Sequence, residues 1–296
     1  MNRVRSNLML LLAALIWGCA FVAQSVGMDY VGPITFNCLR SLIGSAALLP
    51  LLFWMDRHHP HEERTAEEKK KVYRGGVVCG IILCIASLFQ QYGIQYTSVG
   101  KAGFITALYV VLVPILGLFI GKKAKPAVWG CALLAAVGMY FLSVNGAFAL
   151  STGDFLVFIC AILFACHILA VDHYSFLRDG IRLSCIQFFT AGILCLIPML
   201  VIEKPTMQVI LAAAGPILYA GVLSSGAGYT LQILGQQDAD PAVASLILSL
   251  ESVFAALAGW LILHETLSSR ELFGCCLVFA AIIIAQLPSY KKPVER

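Results

Sequence analysis

The sequence is poor in charged residues, and this scarcity excludes most classes of soluble protein. Only 12% of its 296 residues are charged and 60% are hydrophobic, whereas ordinary soluble domains have about 25% charged and 45–50% apolar residues. The small net charge of +4 is carried by short segments between apolar stretches, which argues against a nucleic-acid-binding face. We therefore expect a membrane protein with no nucleic-acid partner.

Motifs typical of nucleotide-binding and metal enzymes are also absent from the sequence. It contains no GxGxxG after a predicted strand, no GxxxxGK[ST] and no HExxH, the patterns that bind dinucleotides, phosphates and catalytic zinc. ATP is therefore not expected to supply energy. All eleven cysteines fall within apolar stretches, as expected of packing residues rather than a disulfide framework or zinc site. We predict no cofactor, and a solvated loop rather than a metal site at His58, His59 and His61.

Ten apolar stretches fill most of the chain, and each is about long enough to cross a hydrocarbon core of roughly 30 Å. We number them as predicted spans 1 to 10 in chain order. They cover residues 7–27, 33–54, 73–95, 98–120, 126–145, 154–175, 182–202, 210–234, 241–263 and 270–288. Most connections are short, so neighbouring spans are expected to be antiparallel. The predicted fold class is an all-α membrane protein with ten transmembrane helices.

Lysine and arginine are unevenly distributed between the two ends of these spans. With both termini on one side, sixteen of the 20 basic residues lie on that side, three lie on the other, and Arg40 lies within span 2. Cytoplasmic loops carry such an excess of positive charge. We expect a multi-pass membrane protein with both termini in the cytoplasm and an uncleaved first span. Its compact size favours the cell (inner) membrane, and the membrane of a eukaryotic organelle is the alternative.

The second half of the sequence resembles the first half. Three pairs of segments align at offsets between 142 and 147: 14–21 (ALIWGCAF) with 161–168 (AILFACHI), 102–116 with 244–258, and 129–136 (WGCALLAA) with 273–280 (FGCCLVFA). Because each repeat has five spans, an odd number, the second repeat enters the membrane from the opposite side. We expect two five-helix inverted repeats, residues 8–144 and 154–287, that open a shared site alternately to either side.

The order of several motifs resembles that of EamA-type carriers of the drug/metabolite transporter superfamily. The motifs are LIWGCAF (15–21), PITFNCLR (33–40), GIQYTSVGKAGFITAL (93–108) and SLESVFAALAGWLILHETLSSRELFGCCLVFAA (249–281). The family's carriers share ten helices in two inverted repeats and move amino acids, nucleobases, sugar derivatives and drugs. The resemblance implies a secondary transporter, an exporter of a small metabolite, amino acid or drug-like solute, without indicating which one.

Glu251 is the most informative single residue, because it lies near the middle of span 9. A charged carboxylate at such a depth costs about 2.5–3.5 kcal/mol on insertion scales. It could bind a cationic substrate group, take up a proton, or lock two helices together by hydrogen bonds, and the sequence leaves these readings open. At an offset of 142 its counterpart is Tyr109, which would either face the same cavity or pack at a helix interface.

Further polar and aromatic residues within the spans are candidates for substrate binding, with helix packing as the alternative for each. They are Trp17 in span 1, Gln91 in span 3, His167 in span 6, and Tyr229 and Gln232 in span 8. His167 could also relay protons. Arg40 is expected to snorkel or to pair with helix-end carbonyls rather than to bind an anionic substrate.

Two classes of function remain. The first is secondary transport by alternating access, coupled to protons if Glu251 titrates during the cycle. The alternative is an intramembrane enzyme with a nucleophile such as Ser225 and a base such as His167. A receptor or scaffold has no need of two inverted halves, so we expect a transporter instead. Because the sequence contains no enzyme motif, we expect that it is not an enzyme. Its expected partners are a small-molecule substrate and the lipid bilayer. The oligomeric state stays open.

Overall fold

The computed structural model describes seven ranges of the chain: residues 3–58, 65–97, 99–122, 125–143, 151–175, 179–262 and 268–286. These ranges are almost entirely helical. The helices are α1 (Arg3–Gly27), α2 (Pro33–His58), α3 (Ala66–Ile94), α4 (Val99–Ala107), α5 (Tyr109–Phe119), α6 (Pro126–Ser143), α7 (Thr152–Ser175), α8 (Gly180–Pro198), α9 (Met207–Ala212), α10 (Ala214–Leu218), α11 (Tyr229–Gln236), α12 (Pro241–Leu248), α13 (Glu251–Ile262) and α14 (Ser269–Gln286). Two π-helical segments, Met199–Glu203 and Tyr219–Gly228, continue α8 and join α10 to α11.

The predicted fold class is confirmed: the protein is all-α, with ten transmembrane segments in two inverted repeats. Eight helical segments within the described ranges are long and apolar enough to cross a membrane. Two shorter apolar stretches, Pro126–Gly138 and Leu272–Ile284, occupy predicted spans 5 and 10. Large apolar side chains such as Phe53 and Phe119 cover the outside, as expected where lipid tails rather than water surround the helices.

Two contacts between the repeats are related by the repeat symmetry. Ser6 in α1 donates a hydrogen bond to the carbonyl of Gly235 in α11, and at the equivalent position Gly153 in α7 lies against the carbonyl of Gly93 in α3. Ser6 is equivalent to Gly153 at an offset of 147, and Gly93 is equivalent to Gly235 at an offset of 142. The Ser6–Gly235 and Gly153–Gly93 contacts are therefore related by the repeat symmetry. The pseudo-two-fold axis thus relates specific contacts as well as helices.

Predicted spans 4 and 9 each contain an interruption whose position the sequence did not indicate. Span 4 consists of α4 and α5, and span 9 consists of α12 and α13. The interruptions are equivalent: the amide of Leu108 bonds to the carbonyl of Ile105 at 3.2 Å, and that of Leu250 to the carbonyl of Ile247 at 3.2 Å. These i→i−3 bonds are single 3₁₀-type turns. Each turn places one residue at the start of a new helix.

Side-chain hydrogen bonds from serines accompany the interruption in span 9. Ser245, Ser249 and Ser252 each donate a side-chain hydrogen bond to the carbonyl three residues earlier, at 2.9, 2.7 and 2.8 Å respectively. Such bonds compete with the helix ladder and bend helices. Span 9 is also the most enclosed span, with 78% of its apolar window buried, so its turn lies inside the protein.

Span 8 is irregular over most of its length. Its π-helical segment, Tyr219–Gly228, packs against α2, and a Cβ on Gly44 of α2 would lie 2.7 Å from the Cβ of Ser225. Single π turns are rare and frequently occur at functional sites. Here the segment brings span 8 against α1 and α2 beside the central cavity described below.

Candidate functional site

A cavity of about 450 Å³ lies between the two repeats. We call it the central cavity and define it by the residues that line it. These are Trp17, Ala20, Phe21, Gln24, Arg40, Gln90, Thr106, Tyr109, Phe164, His167, Ile168, Ser224, Tyr229, Gln232 and Glu251. Helices of both repeats contribute to it.

Glu251 and Tyr109 occupy equivalent places in this cavity. Each is the first residue after the 3₁₀-type turn of its span, at the start of α13 and of α5 respectively. Both are buried, and Oε1 of Glu251 and the hydroxyl of Tyr109 have no hydrogen-bond partner among the described residues. The two groups nevertheless lie within interaction range of each other. The structure therefore brings together the pair that the repeat offset predicted.

Arg40 also lines the cavity and is only 5% exposed. Its Nε donates a hydrogen bond to Oδ1 of Asn37 at 3.1 Å, and its Nη1 donates to Oε1 of Gln24 at 3.1 Å. The expected snorkelling or pairing with helix-end carbonyls is not observed. Among the described residues, no carboxylate lies within 4 Å of the guanidinium.

Trp17, His167, Phe188 and Tyr229 form an aromatic cluster, and all of them except Phe188 line the cavity. The rings of Trp17 and Tyr229 are 4.5 Å apart, and Phe188 and His167 meet Tyr229 edge-on at 5.1 and 5.8 Å. The indole Nε1 of Trp17 donates to the carbonyl of Ser224 at 3.3 Å. These contacts orient Tyr229, which has both an aromatic face and a hydroxyl for polar ligands.

His167 has a partner that the sequence did not reveal. Its Nε2 lies 3.0 Å from Oε1 of Gln187, the residue equivalent to Arg40 in the second repeat. Both side chains are fully buried. The histidine is thus a cavity-lining group anchored from behind by an amide, an arrangement compatible with either candidate role.

Gln91 is placed differently from the other candidates. Its side chain is completely buried outside the cavity, and its Nε2 donates to the backbone carbonyl of Gln24 at 3.2 Å. The neighbouring Gln90 lines the cavity instead and donates to Oγ1 of Thr106 at 3.2 Å. The remaining candidates, Trp17, Tyr109, His167, Tyr229, Gln232 and Glu251, all line it.

Several lining residues were missed by sequence reasoning, although one helical pattern was available. Trp17, Ala20, Phe21 and Gln24 follow the i, i+3, i+4, i+7 spacing of a single helix face, and all four line the cavity. Extending the face from Trp17 by this rule would have found Gln24. The inward direction of Gln90 rather than Gln91 has no such local signal.

The residues suggested for metal binding and for nucleophilic catalysis are not assembled in the cavity within the described ranges. No cluster of three or more histidine, cysteine or acidic side chains suited to a metal occurs within the described ranges; His59 and His61 lie outside them. Ser225 packs against Gly44 and is not among the cavity residues, so the structure does not place it beside His167 in the cavity. Eight of the eleven cysteines are buried as free thiols, consistent with packing.

Comparison with known proteins identifies relatives over almost the entire chain. The model of the EamA-like transporter family matches twice, at residues 4–144 and 151–286. An uncharacterized transporter of Archaeoglobus fulgidus is 33% identical over 288 residues, 97% of this chain and 87% of the relative. The uncharacterized transporter YoaV of Bacillus subtilis is 22% identical over 289 residues, 95% of this chain and 96% of the relative.

More distant similarity extends to plants and to a solved structure. The WAT1-related protein At3g02690, chloroplastic, of Arabidopsis thaliana is 23% identical over 288 residues, 92% of this chain and 67% of the relative. A protein of known crystal structure superimposes with a TM-score of 0.78 at 16% identity, covering 96% of this chain and 97% of its own. At that identity the match shows a shared fold.

Proposed function

This chain belongs to the EamA-like transporter family, and on that basis we propose that it is a secondary transporter that exports a small metabolite, amino acid or drug-like solute. It works by alternating access across the cell (inner) membrane, with both termini in the cytoplasm. The five-helix repeats, residues 8–144 and 154–287, are the two units that move relative to each other.

One observation carries this proposal: polar atoms without partners converge on a cavity shared by both repeats. The hydroxyl of Tyr109, Oε1 of Gln232 and Oε1 of Glu251 are buried and have no hydrogen-bond partner in the described structure. An unsatisfied buried polar atom costs about 1–3 kcal/mol. A polar solute, or the water that it displaces, would satisfy these atoms, so the arrangement favours a binding site over a purely structural core.

The repeat symmetry supplies a route between two conformations. Equivalent 3₁₀-type turns interrupt spans 4 and 9 at Leu108 and Leu250, and discontinuous helices at the interface of inverted repeats are typical of secondary transporters. If each repeat can adopt the conformation of the other, the cavity opens first to one side and then to the other. A purely structural bundle has no need of equivalent interruptions.

Glu251 is the residue through which we propose proton coupling. A carboxylate enclosed within a membrane protein requires a cation, a proton or water, and Glu251 is 4% exposed with no basic side chain within 4 Å among the described residues. Exchange of a proton for a substrate at this carboxyl would couple export to a pH gradient. His167 is a second candidate for proton transfer.

Flux measurements in proteoliposomes test the proposal. We expect a panel of labelled metabolites to contain at least one solute whose uptake or efflux depends on the protein and responds to an imposed pH gradient. Glu251→Gln is expected to reduce this flux at least about tenfold, or to make it independent of the gradient, because the neutral amide cannot exchange a proton.

Glu203→Gln is the matched control, because Glu203 is a carboxyl outside the central cavity, and it is expected to keep its flux. Wild-type flux of Glu251→Gln at every pH would remove Glu251 from the mechanism. Absence of protein-dependent flux for the entire panel would contradict transport.

A further inference from the structure

We propose that the solute bound in the central cavity is a zwitterion, with an anionic group that binds Arg40 and a cationic group that binds Glu251. Two oppositely charged side chains line this one cavity, and 4–5% of each is exposed. The transport of this solute rests on the proposed function above, whereas its binding does not.

The charges of Arg40 and Glu251 do not neutralise each other. No ion pair joins Arg40 to Glu251 within the part of the chain that the structure describes. Removing the counter-ion from a buried charge is strongly unfavourable, because the remaining charge has lost its water without gaining a partner. Two such charges in one cavity therefore favour an occupant that supplies both counter-charges.

The side chain of Arg40 is held by neutral hydrogen-bond acceptors. The amide oxygens of Asn37 and Gln24 accept hydrogen bonds from Nε and Nη1, so they orient the guanidinium without neutralising it. A guanidinium held in this way presents a preformed donor to a carboxylate or another oxyanion.

The side chain of Glu251 lies in the cavity with an oxygen that has no hydrogen-bond partner among the described residues. Glu251 is the first residue of α13 and is only 4% exposed. Its Oε1 and the hydroxyl of Tyr109 are both without a hydrogen-bond partner in the described ranges. A protonated amine has three donors, enough to satisfy both oxygens at once.

Tyr229 lines the central cavity together with Arg40 and Glu251 and lies within electrostatic range of both. A singly charged solute would leave either Arg40 or Glu251 without a counter-ion, whereas a zwitterion leaves neither.

The inference is tested by ligand-dependent thermal stability of the purified protein, because a ligand that binds only the folded state raises Tm. The probes are zwitterions with increasing charge separation, namely glycine, β-alanine, γ-aminobutyrate, aminovalerate and aminocaproate, together with phenylalanine. Each is paired with the amine and the carboxylate of the same carbon skeleton, such as phenethylamine and phenylpropionate. At millimolar concentration, we expect at least one zwitterion to raise Tm and its singly charged analogues to have no effect.

Two variants assign the ends of the ligand. Arg40→Gln introduces the residue that the second repeat has at the equivalent position, Gln187, and Glu251→Gln preserves the shape of the carboxyl. Each is expected to weaken zwitterion binding roughly tenfold or more, because one charge of the ligand is left unpaired. The controls Arg182→Gln and Glu203→Gln change a cation and a carboxyl outside the cavity and are expected to keep the Tm shift.

Three results would overturn the inference: no zwitterion of the series shifts Tm, a singly charged analogue shifts it as much as its zwitterion, or the shift survives in Arg40→Gln. Failure of this inference can be distinguished from failure of the proposed function. Zwitterion binding without flux would contradict transport alone, whereas flux of a singly charged solute without zwitterion binding would contradict only the inference.

Discussion

The two repeats share equivalent backbone turns but carry different chemistry at equivalent positions. Their 3₁₀-type turns at Leu108 and Leu250 use the same hydrogen bonds, yet the next residue is Tyr109 in one repeat and Glu251 in the other. Similarly, Arg40 of the first repeat corresponds to Gln187 of the second. Exchange between two conformations requires a symmetric backbone, and recognition of an asymmetric solute requires asymmetric side chains. The comparison shows that the two can occur together in one fold.

The same contrast occurs where spans 2 and 7 meet at their two ends. At one end the carboxylate of Glu203 accepts hydrogen bonds from the backbone amides of Ile34 and Thr35, at 2.9 and 2.7 Å. At the other, predicted cytoplasmic, end Asp56 pairs with Nη2 of Arg182 at 2.6 Å. At an offset of 147, Thr35 is equivalent to Arg182 and Asp56 is equivalent to Glu203. The Thr35–Glu203 and Asp56–Arg182 contacts are therefore equivalent by symmetry, although they join different chemical groups.

The largest effect is expected where the repeats differ in side-chain volume. A Cβ on Gly18 of α1 would clash with the Cβ of Phe254 and lie 2.8 Å from the amide nitrogen of Ala255; the equivalent residue in α7, Ala165, already has a methyl group and is fully buried. Gly18→Ala should lower the free energy of unfolding by about 3 kcal/mol, because backbone cannot rotate away from the added methyl group. Thermal unfolding in detergent or nanodiscs measures the effect.

The reciprocal substitution Ala165→Gly is the control for that measurement. It removes a methyl group without creating a clash and should cost only about 1 kcal/mol, the usual difference in helix propensity. Equal losses for the two substitutions would mean that α1 approaches α13 no more closely than α7 approaches its own neighbour.

An intermediate effect is expected at the two ends of spans 2 and 7. Glu203→Gln should cost about 1–2 kcal/mol, because it removes a negative charge that two amides at a helix N-terminus stabilise. Asp56→Asn should cost about 0.2–1 kcal/mol, because its side chain is 45% exposed and solvent screens the pair. Denaturation of both variants in the same lipid checks the order, and an equal or inverse order would contradict it.

The smallest loss of stability is expected at Tyr109. Because its hydroxyl is buried with no hydrogen-bond partner among the described residues, Tyr109→Phe should not lower the free energy of unfolding and should raise it by up to about 1–3 kcal/mol. Tyr219→Phe is the matched comparison, since the hydroxyl of Tyr219 donates to the carbonyl of Ile16 at 3.1 Å, and should cost about 0.5–1.5 kcal/mol. A larger loss for Tyr109→Phe would show that its hydroxyl is needed for the fold rather than for a ligand.

Much of the candidate site could be predicted from the sequence because the repeat makes long-range relations visible. The offset of 142 paired Tyr109 with Glu251, and both line one cavity. Gln91 was chosen over Gln90 because nothing local distinguishes two adjacent glutamines. Arg40 was expected to leave the interior because the sequence does not reveal that Asn37 and Gln24 meet it there.

The sequence by itself determined the all-α fold class, the apolar spans and the duplicated, inverted architecture, because length, hydropathy and self-similarity are properties of the linear chain. Only the tertiary structure decided which side chains face the cavity, where spans 4 and 9 are interrupted, and how both Arg40 and Glu251 come to lie in one site without forming a pair. The physical reason is that lipid tails are as apolar as the helices. Hydrophobicity therefore selects the spans, whereas close packing and hydrogen bonds between distant residues select how those spans face one another.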